Sequence, residues 1–177
     1  MAANEKLMDR DQLRALQEPL KERYREEADE ALVTLAANGT LGAGVTCSVA
    51  TGRALVEAGL HPATGGDGSS LCSGDMLLEA LVACAGVTLG AVATSIGLDI
   101  QAGSVRAEGD LDFRGTLAVS KEAPVGFRAI RLTFELETDA SAEDLDTLLK
   151  LTERYCVVYQ TLAHGPSLSS SWATIAA

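Results

Sequence analysis

Aromatic residues make up only 4% of this 177-residue chain, with a single tryptophan. Its core must therefore be filled mainly by Ala, Val and Leu; Ala and Leu favour helices, and small side chains let packed helices approach closely. Positive charge is also scarce: 14 Lys and Arg stand against 25 Asp and Glu, a formal net charge of −11. Phosphate backbones and anionic bilayer surfaces recruit clustered Lys and Arg. Nucleic acid and a membrane surface are thus argued against as partners, while a small apolar substrate is not. Histidine is limited to His61 and His164, and the four cysteines, Cys47, Cys72, Cys84 and Cys156, show no C-x-x-C spacing. A zinc site is weakly supported by such a set, and no cofactor is expected.

The opening residues, MAANEKLMDRDQLRAL, place charges where a secretory signal needs an unbroken apolar core. A cytoplasmic protein is expected, and in that compartment the cysteines are reduced by default rather than locked in a disulfide framework. One segment reaches membrane-spanning length: Ala80 to Leu98 runs nineteen residues without a charge, near the roughly 20 that cross a bilayer. It is diluted by Gly86, Gly90, Thr88, Thr94, Ser95 and Gly97, led in by Asp75 and Glu79, and has no basic cluster to set an orientation. A helix that is apolar all round also fits the centre of a globular core, and that is the preferred reading.

A chain of this length fits one domain. From Asp11 to about Ala36 strong helix formers predict a helical piece broken at Pro19. The dense charge of residues 21–30 reads as a solvated surface, and Asn38-Gly39 with Gly42 as a turn. Val45 to Thr51, rich in β-branched residues, predicts a strand, with residues 52–58 as its partner. Gly59 to Ser73 is a loop by composition. The apolar helix follows to Ile96, with Ser73 as its N-cap and Gly97 as its stop. Ser104–Phe113 and Phe127–Glu137 alternate as strands; in the second, Ile130, Leu132, Phe134 and Leu136 share one face. A short strand is expected at 116–119. Ser141 caps a second helix on which Leu145, Leu148, Leu149, Thr152, Cys156 and Tyr159 recur at spacings of three and four, an apolar stripe. A closing strand is expected from Leu168 to Ile175. The order predicts an α+β domain with a mostly antiparallel sheet.

Chemistry rests on the cysteines. Cys84 on the apolar helix and Cys156 on the amphipathic one either fill space, since free Cys is among the most buried residue types, or face each other as a redox pair. Cys72 stands before a helix start, where free amides favour a thiolate, but about 18 Å of helix separates it from Cys84. Glu79 is read as an exposed residue, and His61 and His164 as surface histidines.

The run SGDMLLEALVACAGVTL resembles the helix of the OsmC/Ohr family that bears the reactive cysteine, and LTERYCVVYQTL resembles the helix that ends near its second cysteine. The intervening GFRAIRLTFEL and SAEDL also fit, and the likeness spans roughly Val45 to the C-terminus. It implies an OsmC-like domain over 41–177 behind a helical extension over 1–40, and an intertwined homodimer with the two cysteine helices at its centre. It further implies thiol-dependent reduction of organic hydroperoxides: Cys84 peroxidatic, Cys156 resolving, and an external dithiol as reductant. Two positions depart from the family. Gly74 stands where the family has a carboxylate about ten residues before the first cysteine, with Asp75 adjacent, and Val157 follows the second cysteine where Pro is common. The family also places an Arg beside the thiol, for which Arg23, Arg25 and Arg53 are candidates. A non-enzymatic family member that binds a small molecule or senses redox state is the alternative.

Overall fold

In a computed structural model of the chain, the residues described are 9–15, 17, 26, 38–41, 47–50, 55–118 and 120–174. Strands β1 (Asn38–Leu41), β2 (Cys47–Ala50) and β3 (Leu55–Gly59) form an antiparallel meander, and the two-residue β4 (Leu71–Cys72) adds in parallel to β3. The long helix α1 (Ser73–Ile96) follows, then β5 (Ala102–Asp110), a helical turn α2 (Phe113–Thr116), β6 (Ala129–Glu137), α3 (Ala142–Tyr155) and α4 (Val157–Ala163). β5 and β6 pair antiparallel along their whole length, from Ala102 opposite Glu137 to Asp110 opposite Ala129. The α+β class and the mostly antiparallel pairing are present, divided between a four-stranded and a two-stranded sheet.

Helix α1 begins one residue earlier than expected, at the residue read as its cap. Cys72, extended at φ −77° and ψ 132° and paired with Gly59, is the N-cap and makes no side-chain cap bond, so Ser73 is the first helical residue. Gly97 ends the helix as expected, at φ 78°, and its N–H reaches Ala93 O and Thr94 O. Glycine takes that left-handed conformation without a Cβ clash. By length and composition α1 is able to cross a membrane, yet it packs on α3, α4 and β5. Only one face is buried, through Leu81, Ala85, Leu89, Val92 and Ala93. Ala80, Ala83, Val87 and Gly90 recur at spacings of three and four on another, exposed face, with Val87 77% accessible. The expectation of a helix buried all round is therefore corrected, because its partners within the chain cover one side.

Two apolar clusters divide the core. Leu89, Val92, Ala93 and Leu148 join α1 to α3, with Phe134 and Leu136 of β6 against them. Leu81, Ala85 and Cys156 form the other, with Cys84, Ile130, Leu132 and Tyr159 packed around. β6 alternates as expected, its even-numbered side chains inward. Ser141 caps α3, accepting from Asp144 N–H at 3.2 Å.

Three expected elements differ. Asn38-Gly39 starts β1 instead of a turn, since Asn38 and Gly39 sit in register with Ala50 and Val49; Gly42 lies outside the described residues. Residues 116–118 close α2 and the turn after it, because Asp112 caps that turn by accepting from Arg114 N–H at 3.2 Å and from its Nε at 2.9 Å. Residues 165–174 form no strand, and Leu168 and Trp172 stand exposed without an edge of either sheet beneath them. Near the N-terminus residues 10–15 are helical, capped by Asp9, whose Oδ1 accepts from Gln12 N–H at 2.9 Å. Pro19 lies outside the described residues, as do residues 21–30 apart from the exposed Glu26.

Candidate functional site

Cys84 lies halfway along α1, on the side that meets α3 and α4. Cys156, expected on a helical stripe, instead occupies the break between those two helices. Its backbone turns to φ −74° and ψ 110°, making it at once the C-cap of α3 and the N-cap of α4. The helix ends at Tyr155, and the sulfur takes the capping role that a serine oxygen plays elsewhere: Tyr159 N–H donates to Cys156 Sγ at 3.5 Å. The residue is fully buried, at 0% exposure.

This break turns the first amides of α4 toward Cys84. Burial pushes the Cys84 thiol up. The Val158 amide, the Cys156 thiol, the Val157 amide and the Thr88 hydroxyl act in the opposite direction as hydrogen-bond donors, and they outweigh it, so the thiol is held below its ordinary value. For Cys156 the balance reverses. Burial raises it, the Tyr159 amide partly opposes, and donation to Cys84 together with the charge there raises it further. Both thiols are free in this structure. The geometry thus makes two unlike sulfurs from two like ones: a half-buried thiol favoured as anion and a buried neighbour held as donor.

None of the other described candidates is among the groups acting on this pair. Cys72 caps the start of α1 and Cys47 is in β2. Asp75 and Glu79 are exposed on α1. His61 organises its own loop: its Nδ1 accepts from Ala63 N–H at 3.0 Å and its ring stacks on Phe113 at 4.9 Å. His164 follows α4 and is exposed. Arg23, Arg25 and Arg53 lie outside the described residues. The sequence assigns no role to Val158 or Thr88, and marks Val157 only as standing where the OsmC/Ohr family commonly has Pro. Backbone donors carry no sequence signature, whereas Thr88, one helical turn beyond Cys84, was open to discovery from its i, i+4 spacing.

The sequence profile of OsmC-like proteins matches residues 66–171. The chain belongs to the OsmC-like protein family. No curated protein matches it significantly. Among solved structures, an OsmC-like protein from Mycoplasma pneumoniae is similar at a TM-score of 0.64 and 15% identity, over 75% of this chain and 89% of that one. An organic hydroperoxide resistance protein from Elizabethkingia anophelis is similar at a TM-score of 0.60 and 16% identity, over 76% and 90%. One from Legionella pneumophila is similar at 0.59 and 16%, over 75% and 91%. At these identities the likeness shows the OsmC-like fold. The region matched to the OsmC-like family contains both Cys84 and Cys156, and also the two departures. Val157 holds the first helical position of α4, where a proline is sterically at home; as valine it keeps an N–H that proline lacks, one of the donors acting on Cys84.

Proposed function

We propose that this OsmC-like protein is a thiol-dependent peroxidase for organic hydroperoxides, acting in the cytoplasm as a homodimer, with Cys84 peroxidatic and Cys156 resolving. The observation that carries this reading is the packing of Cys156, at the break between α3 and α4, beside Cys84 of α1, an arrangement that lowers the Cys84 thiol and raises that of Cys156. The Cys84 thiolate attacks the outer oxygen of R–O–OH. The O–O bond breaks, the alkoxide leaves and takes a proton to become ROH, and Cys84 is left as sulfenic acid. Cys156 then attacks that sulfur, its proton leaves with the hydroxyl as water, and the 84–156 disulfide forms. An external dithiol returns the pair to its reduced state. Leu81 and Ala85, buried beside the pair, favour an alkyl peroxide over hydrogen peroxide. The exposed face of α1 through Ala80, Ala83, Val87 and Gly90 supports burial of this helix against a second copy.

The test is consumption of cumene hydroperoxide by the reduced protein with a dithiol present. Wild type consumes it, Cys84→Ser does not, and mass spectrometry after mild peroxide treatment finds the 84–156 disulfide. No consumption with any dithiol defeats the proposal. Unmodified Cys84 under the same treatment favours a non-enzymatic small-molecule-binding or redox-sensing protein.

A further inference from the structure

The break at Cys156 interrupts the hydrogen-bond ladder of a helix at identifiable groups. In an α-helix each carbonyl accepts from the N–H four residues on. α3 keeps that pattern up to Thr152, whose carbonyl accepts from Cys156 N–H at 2.9 Å. α4 resumes it at Cys156, whose carbonyl accepts from Gln160 N–H at 2.9 Å. Between them the ladder lapses. Helical continuation would give the Val157 N–H to Glu153 O and the Val158 N–H to Arg154 O, and neither bond is present among the described residues. Both amides turn to Cys84 instead. Glu153 O is not left bare. The half-buried Gln160 side chain reaches back seven residues across the break, and its Nε2 donates to Glu153 O at 2.9 Å. A carbonyl only accepts, so this contact also fixes which end of the side-chain amide faces it.

We infer that Gln160 is a positioning residue: its side-chain amide replaces the Val157 N–H on the Glu153 carbonyl, holds the chain broken at Cys156, and so leaves the first amides of α4 facing Cys84. The residue types at the break do not enforce it. A proline at 157 would by itself push Cys156 away from the helical region, whereas valine permits a helical Cys156. Cys156 nevertheless stands extended, at ψ 110°. Without the Gln160 donor, the nearest partner for Glu153 O is the Val157 N–H, and a backbone carbonyl at a helix end takes a partner where one is within reach. Making that bond requires Cys156 to turn helical. α3 then runs on into α4, and the amides of Val157 and Val158 leave the thiol. Among the groups acting on Cys84 the one other titratable side chain is Cys156, which sits at the same break. The consequence of Gln160 for catalysis rests on the peroxidase reading; its consequence for the Cys84 thiol does not.

The test reads the pH midpoint of Cys84 alkylation and needs no hydroperoxide. Gln160→Met keeps the length of the side chain and removes its donor. The Cys84 midpoint is expected to rise by about one pH unit, the scale of a hydrogen bond to a charged group. Gln160→Ala, which favours the helix, is expected to give the same rise and serves if the methionine variant does not fold. In Val157→Pro the proline holds the break and the Val157 N–H is gone, so adding Gln160→Met should move the midpoint no further. A general loosening around the sulfurs would instead shift both backgrounds alike, because only groups acting through one another depart from additivity. The carbon-13 shift of the Cys156 Cα follows the break directly: non-helical in wild type, helical in Gln160→Met, and non-helical again in the double variant. A helical shift in wild type, an unmoved midpoint in the folded Gln160 variants, or equal rises in the two backgrounds each overturn the inference. A raised midpoint in a protein that consumes no hydroperoxide leaves Gln160 assigned and defeats only the peroxidase reading.

Discussion

Cys156 presents its thiol to Cys84 from the junction of two helices, and the contact pushes the two sulfurs apart in acidity. Alkylation by iodoacetamide, resolved by peptide mass spectrometry across pH, should give Cys84 a midpoint below the ordinary cysteine value of roughly 8.5 and Cys156 one above it. Cys156→Ala removes a donor and moves the Cys84 midpoint up, by about one pH unit on the usual scale for a hydrogen bond to a charged group. The consequence for stability follows in sign. A lowered Cys84 contributes stability that is present above the unfolded value and lost as pH falls through the folded one; a raised Cys156 withdraws stability as pH rises past the unfolded value. Coincident midpoints would sink the division of labour.

Val157→Pro tests the amide donors one at a time. The first position of a helix tolerates proline because its N–H has no partner within the helix, and Val157 is exposed, so α4 should persist. What disappears is the N–H that acts on Cys84. The expected result is unchanged far-UV circular dichroism with a Cys84 midpoint raised by up to about one unit. An unmoved midpoint would place the whole amide effect on Val158.

Local patterns were enough to draw much of this fold, and where they failed the cause is physical. The alternation of Ile130, Leu132, Phe134 and Leu136 marked the inward face of β6, because a half-buried strand writes its period into the sequence. Leu148 and Thr152 were likewise legible as the buried side of α3. The break at Cys156 was not, since the stripe continues through it to Tyr159 and only the packing against α1 shows that the helix turns there. The cysteines themselves were legible as candidates. Their inequality was not, because it comes largely from the main-chain donors of Val158 and Val157.

Gly74 allows the carboxylate of the family pattern to be restored. A Cβ at this position would meet Cys72 Sγ and Phe127 at 3.5 Å and Leu111 at 3.7 Å, ordinary contact distances. Gly74→Glu is therefore expected to fold and to gain about 1 kcal/mol from helix propensity and the favourable end of the helix dipole, seen as a higher urea midpoint. Ten residues of helix place this site about 15 Å along the axis from Cys84 of the same chain. The substitution should leave the Cys84 midpoint of an isolated chain unchanged, and a shift in the assembled protein would mean that the carboxylate reaches a thiol across an interface.

Val87→Arg addresses that interface. Val87 is the most exposed large apolar side chain of α1, in line with Ala80, Ala83 and Gly90, and small residues in this arrangement let a second helix approach closely. An arginine there brings bulk and a charge that is costly to bury unpaired. Sedimentation velocity should show wild type as a dimer and the variant shifted to monomer. Thr88, Cys156, Val157 and Val158 all come from the same chain as the Cys84 they act on, so the monomeric variant should keep a lowered Cys84 midpoint. A monomeric wild type would remove the dimer from the proposal. A dimeric wild type whose monomeric variant loses the lowered midpoint would move the source of thiol activation from these four donors to the partner subunit.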